Sequence, residues 1–174
     1  LINLKTKNIK INANNSTCED SVNFINTDGN VDLIKISNSH SDALDVDFSN
    51  LTIKNIHINS AINDCVDFSY GKYNLGNLKL SDCGDKALSV GEKSLLSLNK
   101  IYANDSSIGI ASKDSSIVKI HDGIFNSMTT CLTAYKKKQE FEGGIIQIAK
   151  FECDYKKEKT NFDKFSFIDF TDKI

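Results

Sequence analysis

Apolar residues occur along this chain in short alternating runs, and the runs themselves recur about every 22 residues. Val31–Ile36, 53–58 and 75–80 align without gaps, and so do the segments 41–46, 63–68 and 85–90 that follow them. Single positions then form columns. Ile34, Ile56 and Leu78 make one and Ile36, Ile58 and Leu80 a second. Leu44, Val66 and Leu88 make a third, beside Val46, Phe68 and Val90, with Val22 and Phe24 one period earlier. Alternation of period two predicts strands with one apolar face, since a helix needs spacings of three and four. Strands this short cannot bury a face alone. Stacked coils about 4.8 Å apart give each an apolar interior and pair its backbone on both sides.

The pattern therefore predicts an all-β chain, a single-stranded right-handed parallel β-helix of about six or seven coils. A period of 22 accommodates three short strands and three turns, and it is not the multiple of six that a left-handed hexapeptide helix requires. Ile108 and Ile110 are read as following Leu88 and Val90 after 20 residues, and Leu132 and Ala134 as following after 24 more. Ile117–Ile120 and Ile145–Ile148 open later coils. Asn59, Ser81, Asn104 and Asn126 each follow a strand end, where Asn and Ser tolerate left-handed turns. Residues 1–150 read as coils. Residues 151–174 read as a last coil and a cap in which Tyr155, Phe162, Phe165, Phe167 and Phe170 cover the open end, with a platform for sugar rings as the alternative. Residues 136–144 are expected to be a solvated loop. The chain reads as one domain of a longer protein.

Composition narrows the function. A formal charge of −2 offers no basic field for nucleic acid, and no apolar run is long enough to insert in a membrane. The absence of proline suits short strands joined by tight polar turns. The five cysteines, at 18, 65, 83, 131 and 153, lack any C-x-x-C spacing. They read as small buried hydrophobes rather than as disulfides or ligands.

Two polar columns carry the candidate chemistry. Asp20, Asp42, Asp64 and Lys86 lie 22 residues apart, and so do Asn23, Asp45, Asp67 and Ser89. Leu44 and Val46 point inward, so Asp45 between them points outward, and Asp67 does the same one coil on. Carboxylates stacked one strand apart repel, which raises a pKa or recruits a cation, and Asp45 with Asp67 could hold Ca²⁺. The alternative is structural: the Asp42 column satisfies turn backbone groups and Lys86 offsets its charge. His40, His57 and His121 fall far apart in the repeat, which disfavours triads and zinc sites.

The successive turns His40–Val46, Asn63–Phe68 and Asp85–Gly91 resemble three consecutive turns of polygalacturonase-type glycosidases. Those enzymes carry Asn-Thr-Asp-Gly, Asp-Asp and Gly-His-Gly on successive coils and then Arg-Ile-Lys. Asp42 matches the Asp of the first motif and Asp64 the second Asp of the pair. Asn63 replaces the other Asp, Lys86 replaces the His, and Arg-Ile-Lys is missing; the literal Asn26-Thr27-Asp28-Gly29 is out of register. The phrases Gly84–Ser94, Ile108–Asp114 and Leu132–Tyr135 are similar to bacterial right-handed β-helix repeat proteins of the pectin-lyase-like superfamily, some of which accompany spore-coat-H-like kinase domains. That resemblance implies export or display at the cell surface.

Two functions are expected from this sequence. One is a non-catalytic module that presents a flat face to polysaccharide or to another surface protein. The other is a divergent polysaccharide hydrolase or lyase using Asp42, Asp64 and Asp67, with Lys86 as electrostatic helper. A groove walled around the acidic ladder would favour the enzyme, and an open face the module. No cofactor beyond Ca²⁺ is implied.

Overall fold

A computed structural model describes residues 1–171. The chain folds as a parallel β-solenoid with no helix among the described residues. Its early coils alternate long and short strands: β1 (Lys5–Asn14), β2 (Asp20–Ile25), β3 (Asp28–Ser39), β4 (Asp42–Asp47), β5 (Asn50–Ala61) and β6 (Val66–Ser69). Later coils run as nearly continuous strands: β7 (Lys72–Gly91), β8 (Leu95–Lys113), β9 (Ile117–Tyr135) and β10 (Ile145–Phe162), closed by β11 (Phe167–Phe170). Neighbours pair in the order β1-β3-β5-β7-β8-β9-β10-β11, which makes about eight turns where six or seven were expected. β2, β4 and β6 stack in the same way onto the second half of β7.

Each coil has three faces, and each face sends two columns inward. Leu51, Tyr73, Leu96, Val118 and Ile146 stand in register on the first face, next to Ile53, Leu75, Leu98, Ile120 and Ile148. The second face carries the expected Ile34–Ile56–Leu78 and Ile36–Ile58–Leu80 columns. On the third, Val22–Leu44–Val66–Leu88 runs beside Phe24–Val46–Phe68–Val90. Nearly all of these side chains are buried, so the core is one continuous apolar rod. Burying them removes roughly 25 cal/mol per Å² of apolar surface from water, while the parallel ladder satisfies the backbone on both sides.

Left-handed corners bend the chain between faces. Asn15, Asn38, Ser60, Asp82, Asp105 and Ser127 adopt φ between 54° and 70°, each just after the polar column Asn14–Ser37–Asn59–Ser81–Asn104–Asn126. Short polar side chains tolerate this region, which explains why the turn positions repeat as Asn, Ser and Asp. A second corner recurs at Asn3, Asn26, Phe48, Tyr70, Glu92 and Asp114.

Two expectations, the spacing of the later columns and the state of the cysteines, are corrected by the fold. Leu88 pairs with Ile110 and Ile110 with Leu132, so the period stays at 22 instead of changing to 20 and 24. The stack therefore places Ser112, not an apolar residue, beneath Val90. Ser112 is fully buried, but its hydroxyl bonds Ser116 Oγ at 2.8 Å and donates to the Ile145 carbonyl at 3.1 Å. Two pairs of cysteines form disulfides, Cys65–Cys83 and Cys131–Cys153, and Cys18 is free and exposed. Spacing gave no sign of the first pair because a solenoid corner, not a motif, brings residues 18 apart together. Two coils earlier the same corner holds Ser21 and Ser39, hydrogen-bonded at 2.7 Å.

Residues 136–144 form the expected loop, exposed at Lys137, Gln139, Glu140 and Glu142, but part of it is docked on the stack. Phe141 is buried, and the amides of Lys137 and Lys138 donate to Asp114 Oδ1 at 2.7 and 2.8 Å. The segment after Phe151 continues the stack as the rest of β10 and as β11, and Tyr155, Phe162, Phe165, Phe167 and Phe170 remain about half exposed. The remainder of the predicted cap, residues 172–174, lies outside the described residues.

Candidate functional site

The two acidic columns lie on the third face, where β4, β6 and the end of β7 stack. They perform different tasks. Asp42 Oδ1 accepts from the Asp64 amide at 2.9 Å and from Asn63 Nδ2 at 2.7 Å. Asp64 Oδ1 accepts from the Lys86 amide at 3.0 Å and from Lys86 Nζ at 3.3 Å. Each carboxylate therefore receives a backbone N–H at the start of the next coil, as in an Asx turn. Asp64 is 4 % exposed. Burial raises its carboxyl to about 6, opposed by Lys86 and reinforced by Asp67, Asp85 and Asp42. Burial would lower the Lys86 ammonium, but its hydrogen bond to Asp85 and the charge of Asp64 hold it above the ordinary lysine range.

The second column, Asn23–Asp45–Asp67–Ser89, is in register across four coils. Asn23 Nδ2 donates to Asp20 Oδ2 and Asp45 Oδ2, both at 2.9 Å. Burial, followed by the charges of Asp47, Asp20 and Asp67, pushes Asp45 up to about 8. Asp47, two residues along and hydrogen-bonded to Asp45, is raised too, chiefly by burial. Each carboxyl disfavours ionisation of the other, because neighbouring carboxylates cannot both ionise cheaply. Asp67 is also raised by burial, against the opposing charge of Lys113.

Lys113 lies two coils from Asp67, yet its ammonium stands 3.6 Å from Asp67 Oδ2. Gly91 makes the crossing possible. A Cβ there would meet Lys113 Cε at 3.2 Å, so the lysine stem lies where a side chain would otherwise stand. Lys113 is only 4 % exposed. Beside it, Glu92 accepts from Ser69 Oγ at 2.6 Å and pairs with Lys138 Nζ at 2.6 Å. Phe48 and Tyr70 stack at 4.7 Å along the same corner, and Phe141 meets Tyr70 edge-on at 6.2 Å.

The sequence-predicted residues therefore share one face without forming one constellation. Asp42, Asp64 and Lys86 form a hydrogen-bonded chain, whereas Asp67 pairs with Lys113, and Asp45 with Asp47. Asp45 and Asp67 stand directly opposite on adjacent strands, but among the described residues no three His, Cys, Asp or Glu side chains are grouped to hold a metal. The Lys113 ammonium supplies the positive charge beside Asp67. Sequence reasoning missed Asp47, Glu92, Lys113 and Lys138. Asp47 was within reach, since it continues the outward alternation from Asp45; Lys113 was not, because its contact depends on a gap left by glycine one coil away.

Apart from a depression of about 410 Å³ at the first coils, lined by Ile9, Ile11, Val22 and Asn23, the larger ones lie on other faces. One groove of about 420 Å³ runs over Lys35, His57, Lys79 and Tyr102, and another of about 400 Å³ over Thr52, Asn74, Ser97 and Lys119. Neither is lined by Asp42, Asp45, Asp64 or Asp67. His40 and His121 lie apart from His57, at the edges of other depressions. Comparison with protein-family models, with curated proteins and with solved structures finds no match for this chain. Fold and site define it as a parallel β-solenoid with an internally compensated acidic face.

Proposed function

We propose that the chain is a non-catalytic β-solenoid module of an exported or surface protein, which presents its flat faces to polysaccharide or to a protein partner. The observation that carries this reading is the commitment of the acidic ladder to the protein itself. Asp42 and Asp64 each accept from the next coil's backbone, and Lys86 and Lys113 neutralise Asp64 and Asp67. A general acid and base need free lone pairs within reach of a bound substrate; Asp42 and Asp64 are engaged by the next coil, and Asp67 Oδ1, which has no hydrogen-bond partner, is buried out of a substrate's reach. Two disulfides in so short a chain suit an oxidising compartment. The resemblance of three turns to polygalacturonase-type enzymes then reads as shared pectin-lyase-like architecture, with its acidic positions turned to holding coils together.

One observation favours the second reading, a divergent hydrolase or lyase. Asp64, raised to about 6, lies in the range where a carboxyl can both give and take a proton. The test is incubation with acidic and neutral polysaccharides, with and without Ca²⁺, following reducing ends and the ultraviolet absorbance of unsaturated products. Binding without product is the expected result. Product formation that Asp64→Asn abolishes would overturn the module reading and place chemistry on the ladder.

A further inference from the structure

The second face of the solenoid has the opposite electrostatic character. Its outward column runs Asn12, Lys35, His57, Lys79 and Tyr102, one residue per coil in unbroken register. Beside it runs the column of amides and hydroxyls, in which Ser37 donates to Asn14 Oδ1 and Ser81 to Asn59 Oδ1, both at 2.8 Å. Together they line the 420 Å³ groove, and no carboxylate is among its lining residues.

Like charges stacked on a sheet face destabilise it unless they are paired or spaced apart. In the neighbouring outward positions Lys54 pairs with Asp32 at 2.6 Å and Lys100 with Asp122 at 3.0 Å. Lys35 and Lys79 make no ion pair among the described residues. His57 between them is lowered by its partial burial and then by these two lysines, so it is neutral at pH 7 and adds a hydrogen-bonding ring to the groove. Two coils separate the lysines, about 9.6 Å along the axis. Tyr102, about 41 % exposed, ends the groove, its hydroxyl accepting from Asn126 Nδ2 at 3.1 Å, and Ile124 and Glu152 continue the column in register beyond it. A shallow trough with spaced cations, a parallel row of amides and hydroxyls and an aromatic ring at one end fits a long ligand with repeating acidic groups, many hydroxyls and apolar ring faces.

We propose that this groove binds an extended anionic polysaccharide along the solenoid axis, with acidic groups against Lys35 and Lys79 and sugar hydroxyls against the Ser37–Asn59–Ser81 row. The assignment rests on the polysaccharide-presenting reading above and gives it a face and a ligand class. That face is not the acidic ladder.

The test is affinity electrophoresis of the whole chain in gels containing polygalacturonate, dextran sulfate or neutral dextran. The variants are Lys35→Ala with Lys79→Ala, and Lys100→Ala as a control lysine outside the groove. All three lysines are exposed, and thermal melts establish that each variant is folded. Both anionic polymers should retard the protein and neutral dextran should not. The double variant should lose roughly tenfold in affinity, as expected for two partly screened charge contacts, and the control should lose none. Unchanged retardation of the double variant, or equal retardation by neutral dextran, overturns the groove assignment while leaving a polysaccharide-binding module. Retardation by no polymer removes both.

Discussion

Asp45→Asn should make the protein more stable in mild alkali and leave it nearly unchanged in acid. Asp45 is raised from 3.8 to about 8 in the folded chain. The folded state therefore keeps a proton that the unfolded state has released, so stability falls as pH rises from about 4 to about 8 and levels off above. At 1.36 kcal/mol per unit, the gross effect is between about 5 and 6 kcal/mol. Asp47 is raised alongside Asp45 and water reaches part of the carboxyl, which reduces the expected gain to about 2 kcal/mol. Asparagine keeps the shape, still accepts from Asn23 Nδ2 and can donate to Asp47. For a chain of 174 residues the gain corresponds to a Tm rise of roughly 4–8 °C at pH 8, with little change near pH 4. The assay is thermal unfolding of both proteins across that range. A Tm difference that does not grow with pH would refute the argument that Asp45 is held protonated by burial and by its acidic neighbours.

The other expectations concern the lysine crossing, the core and the staple. Lys113→Ala leaves Asp67 without the ammonium at 3.6 Å; it should destabilise the chain by about 2–3 kcal/mol at neutral pH, and the loss should shrink toward pH 4 as Asp67 takes up a proton, as read from urea titrations at several pH values. Phe68 is fully buried between Val46 and Val90 with its ring 4.4 Å from that of Tyr73, so Phe68→Ala should cost about 3–5 kcal/mol by chemical denaturation. Replacing Cys65 and Cys83 together by serine opens an 18-residue loop and should cost about 3 kcal/mol; a Tm equal to that of the oxidised parent would contradict the staple.

The columns were legible wherever the repeat ran without gaps. Ile34, Ile56 and Leu78 lie at a constant spacing and each sits in a strand of alternating polarity, so period and face agree. The reading slipped at Ile108–Ile110, where two alternating isoleucines imitate the Leu88–Val90 pair one step out of place. Side-chain polarity alone cannot correct this, because a buried serine is acceptable only once Ser116 and Ile145 are seen to satisfy it. The acidic columns were also legible, as was the structural alternative for the Asp42 column; the compensation of Asp67 and Glu92 was not. Lys86 lies in its column and could be assigned to Asp64; Lys113 and Lys138 reach their partners across coils and from a docked segment. The basic groove escaped notice because its cations, unlike the acids, sit one per coil among neutral residues, and net charge averages them away.

Because the Lys35–His57–Lys79 groove takes one residue from each coil, it works as a ruler. Its length is set by how many successive coils carry a suitable outward residue, and each added coil of that kind contributes one more contact point without disturbing the others. A ligand with a regular repeat would be measured against this scale, gaining grip in proportion to the number of divisions it spans. Changing the affinity of such a surface would need no redesign of any single contact, only the insertion or removal of a whole period of 22 residues.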